Sequence, residues 1–244
     1  MRNLLIIGAI AAAAGAAPAF AQDAEPTPAV SFSGNVAVTS DYVFRGISQS
    51  NSDMALQGGF DLTTSSGFYA GTWLSSIDFN DASDANVEWD VYAGYTGSIG
   101  STGLSYNVGV YGYLYPDVNS SADFDFYEVY GGLSYAIGNF TVGGTVNYSP
   151  DFFAGSGDAI YTQVTAGYTI NDMFSLSGGV GYQTIDDAVA FGTNDYTTWN
   201  VGGTVALPGA FKGTSLDLRY SDTDDKGFGN LSDGRVIFTL KKAL

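Results

Sequence analysis

The 244-residue sequence contains no cysteine and no histidine. Without histidine, the usual general base, Ser-His nucleophile arrangements and imidazole-bound metals are excluded. Without cysteine, thiolate chemistry, zinc–thiolate sites and disulfides are excluded as well. Basic residues are few, with 8 Lys and Arg against 25 Asp and Glu and a formal net charge of −17. That balance argues against nucleic acid and anionic lipid headgroups as partners and for a surface that recruits cations. Past the N-terminus there is also no apolar run near the roughly 20 residues a transmembrane helix needs. A chain that enters a membrane without one does so as a closed β-barrel, the other structure that satisfies every backbone group.

The N-terminus reads as an export signal. Arg2 supplies a positive start, Leu4–Ala17 an apolar stretch and Ala19-Phe20-Ala21 a small-x-small cleavage site. The expected organisation is a signal peptide over 1–21, a flexible lead-in over 22–29 with Pro26 and Pro28, and one domain over 30–244.

What fills that domain is alternation. In Asn139–Ser149, Phe140, Val142, Gly144, Val146 and Tyr148 share one phase, and Thr141, Thr145 and Asn147 share the other. Period two means a strand with one apolar and one polar face. Alternation bounded by turn residues predicts twelve strands: 30–46, 54–64, 68–76, 87–96, 104–115, 124–136, 140–149, 159–170, 173–184, 196–207, 214–221 and 233–244. An even count suits a bacterial single-chain barrel.

The connections alternate too. Those over 47–53, 77–86, 116–123, 150–158, 185–195 and 222–232 are long, and those over 65–67, 97–103, 137–139, 171–172 and 208–213 are short. Ser65-Ser66-Gly67 and Asn171-Asp172 are tight-turn chemistry. The long set holds 14 of the 25 acids and the short set only Asp172, so charge is sorted by end. Long acidic loops at one end and short turns at the other predict an all-β, antiparallel, up-and-down transmembrane β-barrel in the outer membrane of a Gram-negative bacterium. Seventeen Tyr, sixteen Phe and three Trp match its aromatic girdles. Glycine pairs inside the strands, such as Gly143-Gly144 and Gly178-Gly179, permit bends and close approach in a curved sheet.

Three segments carry a resemblance. They are Thr39-Ser40-Asp41-Tyr42-Val43-Phe44-Arg45-Gly46-Ile47-Ser48-Gln49-Ser50, Ala55-Leu56-Gln57-Gly58-Gly59-Phe60-Asp61 and Gly67-Phe68-Tyr69-Ala70-Gly71-Thr72-Trp73. With them the chain resembles the proteobacterial TorF family of porin candidates, over essentially the whole domain. The resemblance implies an outer-membrane barrel with a porin role, and it brings no catalytic residues and no substrate. The chain departs from the usual aromatic end of such barrels by closing on Leu244, with Lys241 and Lys242 before it.

If the apolar phase faces lipid, the other phase lines the interior. Asp41 and Arg45 come from strand 1, Asp61 from strand 2, Glu88 and Asp90 from strand 4, and Glu128 from strand 6. Strand 11 adds Asp217 and Arg219, and strand 12 adds Arg235. Two arrangements of these pore-lining candidates follow. A basic strip of Arg45, Arg219 and Arg235 facing an acidic strip would set a transverse field across a pore. Alternatively the charges pair, Arg45 with Asp41 and Arg219 with Asp217, and plug a narrow lumen.

No catalytic set, cofactor site or metal site is legible. The Asp222–Gly227 stretch has Lys226 where a calcium loop needs an oxygen ligand. Expected partners are outer-membrane lipid, small polar solutes or ions, divalent cations at the acidic loops and, during biogenesis, the barrel-assembly machinery. The expected function is passive diffusion through a porin-like channel. The rivals are a non-conducting barrel with a surface, adhesion or envelope-stability role, and a soluble periplasmic β-sandwich that binds a ligand.

Overall fold

Period-two alternation bounded by turn residues resolves into twelve antiparallel strands in a computed structural model, which describes residues 29–79, 81, 83–118, 123–225 and 227–244. The expected signal peptide and the lead-in up to residue 28 lie outside the described residues. The strands are β1 (Val30–Thr39), β2 (Ala55–Thr64), β3 (Phe68–Ser76), β4 (Val87–Ser98), β5 (Leu104–Leu114) and β6 (Phe126–Ile137). They continue as β7 (Phe140–Ser149), β8 (Ala159–Thr169), β9 (Phe174–Ile185), β10 (Tyr196–Ala206), β11 (Thr214–Thr223) and β12 (Arg235–Ala243). Each pairs with its sequence neighbours, and β1 pairs with β12 from Asn35↔Ala243 to Thr39↔Thr239, which closes the sheet. Closure leaves no open edge and overturns the β-sandwich alternative.

The two phases separate as the alternation requires. Outward residues are apolar and exposed, Phe32 at 79 % and Val164 at 62 % among them. Inward residues include Glu88, Glu128 and Gln183, all nearly inaccessible. A contiguous apolar outer surface around a polar interior is the inverse of a water-soluble protein and matches a hydrocarbon surround. Val164 lies mid-strand on that outer face. Val164→Arg is therefore expected to cost about 2–4 kcal/mol, as measured by urea unfolding in lipid vesicles.

The aromatic residues do more than girdle the barrel. Phe140 and Tyr168 pair outward near the short-turn rim with ring centroids 4.5 Å apart. Tyr69, Tyr111, Tyr113, Tyr130 and Tyr161 instead point inward and are buried. Glycines make room for several of them. Gly181 carries no side chain where the Tyr161 ring lies across it, so any Cβ there would collide with the phenol. Paired glycines in the strands thus seat aromatic rings as well as bending the wall.

Candidate functional site

Past Thr39 the chain leaves the wall. The expected strand over 30–46 ends at Thr39, and the next residues turn into the lumen as a small hairpin. Val43–Phe44 pairs there with Ile47–Ser48, and Arg45 and Gly46 form its two-residue loop. Their φ angles are 46° and 84°, the two successive positive values of a type I′ turn. The apolar run Tyr42-Val43-Phe44 suits a hairpin arm as well as a strand continuation, which is why the sequence pattern missed the turn. Arg45 sits in the left-handed region at a cost of about 1–2 kcal/mol. Gly46 is required, because a Cβ there would meet Thr223 Cβ at 2.9 Å.

The hairpin crosses the barrel. Tyr42 donates its hydroxyl to Glu88 on β4 at 2.9 Å and packs edge-on against Trp73 on β3 at 5.3 Å. Phe44 packs edge-on against Tyr113 on β5 at 5.7 Å. At the tip, Arg45 donates to Glu128 on β6 at 2.7 Å and to Gln183 on β9 at 2.8 Å. Its guanidinium carbon lies 4.3 Å from the centre of the Tyr161 ring on β8.

Further aromatic side chains close over this layer. Phe152 packs on Phe126 at 4.7 Å and on Phe191 at 5.5 Å, and Phe153 stacks on Phe124 at 4.3 Å. Toward the short turns packing is looser, with inward Ser33, Ser134 and Thr165 exposed although Tyr69 and Arg219 are buried there. The lumen is therefore most tightly filled in its long-loop half.

The nine pore-lining candidates separate into several groups. Glu128 takes Arg45, with Asn147 and Tyr113 also donating to the same oxygen. Glu88 and Asp90 face inward two residues apart without an arginine. Tyr115 reaches Glu88 at 3.5 Å and Tyr111 reaches Asp90 at 3.0 Å. Asp90 Oδ1 is buried with no hydrogen-bond partner among the described residues. Asp61 accepts the Tyr92 hydroxyl at 2.5 Å. Arg219 and Asp217 pair at 3.2 Å, and Asn200 and Ser177 also accept from Arg219.

The expected Arg45–Asp41 pair does not form, because the hairpin carries Arg45 to the far wall. Asp41 stays near β12 and binds Arg235 at 2.6 Å. Beside that pair at the long-loop rim lies a cavity of about 370 Å³, lined by Ser40, Ser52, Asn230 and Val236 among others. Nor do the three arginines form one strip: Arg219 and Arg235 lie on β11 and β12, and Arg45 hangs from the hairpin. Among the described residues, no group of three or more acids is placed to hold a metal ion.

Sequence reasoning missed Tyr42, Tyr113, Asn147, Tyr161 and Gln183. The available signal was aromatic residues in the polar phase of β5 and β8, where a water-filled wall would carry small polar ones.

A family model described as a bacterial protein of unknown function (Gcw_chp) matches residues 23–243. Solved structures with similar architecture include the KdgM porin, 13 % identical with a TM-score of 0.57, the match covering 86 % of this chain and 97 % of that one. The NanC porin is 14 % identical with a TM-score of 0.55, over 87 % of this chain and 98 % of the other. At these identities the likeness is one of fold. No curated protein matches the chain.

Proposed function

The chain belongs to the Gcw_chp family of bacterial proteins of unknown function, and we propose that it is an outer-membrane channel for passive diffusion of small polar solutes or ions. In this reading it is exported by a cleaved signal peptide. The observation that carries the proposal is a closed barrel with an apolar outside and Asp61, Glu88, Asp90, Glu128, Asp217, Arg219 and Arg235 on its inner face. Fixed charges of both signs along a route orient polar solutes and set ion preference. The resemblance to the TorF porin candidates points the same way, and the likeness of fold to the KdgM and NanC porins is consistent with it. In this reading the hairpin across the lumen is the constriction of the route, with Asp41 and Arg45 as the charges it carries.

Single-channel recording of the refolded protein in a planar bilayer under a salt gradient tests this. Discrete steps are expected. Converting Arg219 and Arg235 to Gln is expected to move the reversal potential toward cation selectivity, since two positive charges leave the inner face. A silent bilayer, with folding verified by heat-modifiable migration, would overturn the channel.

One observation favours a second reading. The hairpin is packed so tightly across the lumen that Tyr42 is 3 % exposed. A permanently closed barrel acting through its acidic loops would look the same, and its phenotypes would follow the loops over 77–86 and 222–232 rather than lumen charges.

A further inference from the structure

We infer that the lumen contains a binding site for a guanidinium-bearing solute, filled in this structure by the protein's own Arg45. Its physiological sense rests on the channel reading, but the site can be tested without conductance.

The cage belongs to the barrel wall, whereas the cation arrives on a loop. Glu128 Oε2 meets Arg45 Nη2 at 2.7 Å, and Gln183 Oε1 meets Nη1 at 2.8 Å. Wall groups hold both acceptors. Asn147 and Tyr113 donate to Glu128 Oε2 at 3.0 and 3.2 Å. Gln183 gives its amide hydrogens to backbone carbonyls, to Thr184 at 3.1 Å, which turns its oxygen toward the cation. The Tyr161 ring lies flat in the space that Gly181 leaves, with its hydroxyl 3.0 Å from that of Thr198. These contacts all come from the wall, while the hairpin adds the Phe44 ring, 4.7 Å from the guanidinium carbon.

Its shape selects a planar cation. Two oxygens on separate strands meet two nitrogens of one guanidinium while a ring covers its face, an arrangement a single ammonium point charge does not match. Among the described residues, the other arginines are engaged elsewhere, Arg219 with Asp217 and Arg235 with Asp41. If the tip left, Glu88, Asp90 and Glu128 would face the vacated space without a cation from the wall. Arg45 is also held through a left-handed backbone, with φ 46°, so its place is taken at the expense of strain. A solute of the same chemistry, concentrated at the mouth by the acidic loops, would relieve that strain, displace Arg45 and free the tip.

The test is calorimetric titration of methylguanidinium into refolded Arg45→Ala protein in detergent, with folding verified by heat-modifiable migration. Saturable binding is expected, about tenfold or more weaker in Arg45→Ala/Glu128→Gln, because a charge-assisted contact is lost. Neutral methylurea should not bind. Equal affinity for methylammonium would overturn the guanidinium class, and equal binding to both variants would overturn the site. Should Arg45→Ala fail to refold, Arg45→Met keeps the stem and serves the same comparison. In bilayers, methylguanidinium is expected to raise wild-type conductance. Binding together with a silent bilayer would sink the channel reading and leave the site standing.

Discussion

Joining β1 to β2 by a tight turn is expected to raise single-channel conductance several-fold. The ladder between these strands runs to Thr39↔Ala55, so a two-residue Asn-Gly loop can replace the intervening segment without disturbing the wall. The shortened protein loses Tyr42, Phe44 and Arg45 from the middle of the lumen. Its barrel should persist, since the twelve-strand ladder is untouched and water can enter to solvate Glu88 and Glu128. Those carboxylates exchange one set of hydrogen bonds for another, a nearly neutral change. Planar-bilayer recording beside the wild type reads the result. Unchanged step size from a folded, shortened barrel would mean that the hairpin is not the barrier.

The second large effect comes from leaving the hairpin in place and removing its counter-ion. Arg45 and Glu128 side chains are only 6 % and 1 % exposed. Glu128→Leu strands a guanidinium in that dry layer, a change that costs about 3–5 kcal/mol when a buried pair is broken. Withdrawal of the tip into water caps the loss, and the variant then conducts like the shortened protein. Arg45→Met/Glu128→Leu is expected to recover most of the stability, because replacing both partners by apolar groups of similar size is close to neutral. Urea unfolding midpoints in vesicles, taken as a double-mutant cycle, measure the coupling. A Glu128→Leu protein with wild-type stability and wild-type conductance would show that the pair contributes nothing.

Much of the wall was legible because it is written locally. Alternation assigns Phe140 and Val142 to the outside and Thr141 and Asn147 to the inside without knowledge of any other strand. Asn171-Asp172 and Ser65-Ser66-Gly67 announce their turns with residues that accept the backbone angles. Twelve strands, their phases, the asymmetry of the two ends and the inward placement of Glu88, Glu128 and Arg219 all follow from such short-range rules.

The interior is different, because its partners are chosen across the lumen. Asp41 and Arg45 are near neighbours in sequence and looked like a pair, yet Asp41 binds Arg235 and Arg45 binds Glu128, 83 residues away. Arg45-Gly46 is a weak turn signal beside Asn-Gly, and the apolar Tyr42-Val43-Phe44 before it reads equally well as more of strand 1. Only closure of the sheet brings the hairpin after β1 across to β6, β8 and β9, and only then does its tip have a carboxylate, an amide oxygen and a ring face to fill. Local periodicity therefore determined the barrel, whereas long-range packing decided what stands inside it, since an ion pair across a lumen depends on distances that no single strand encodes.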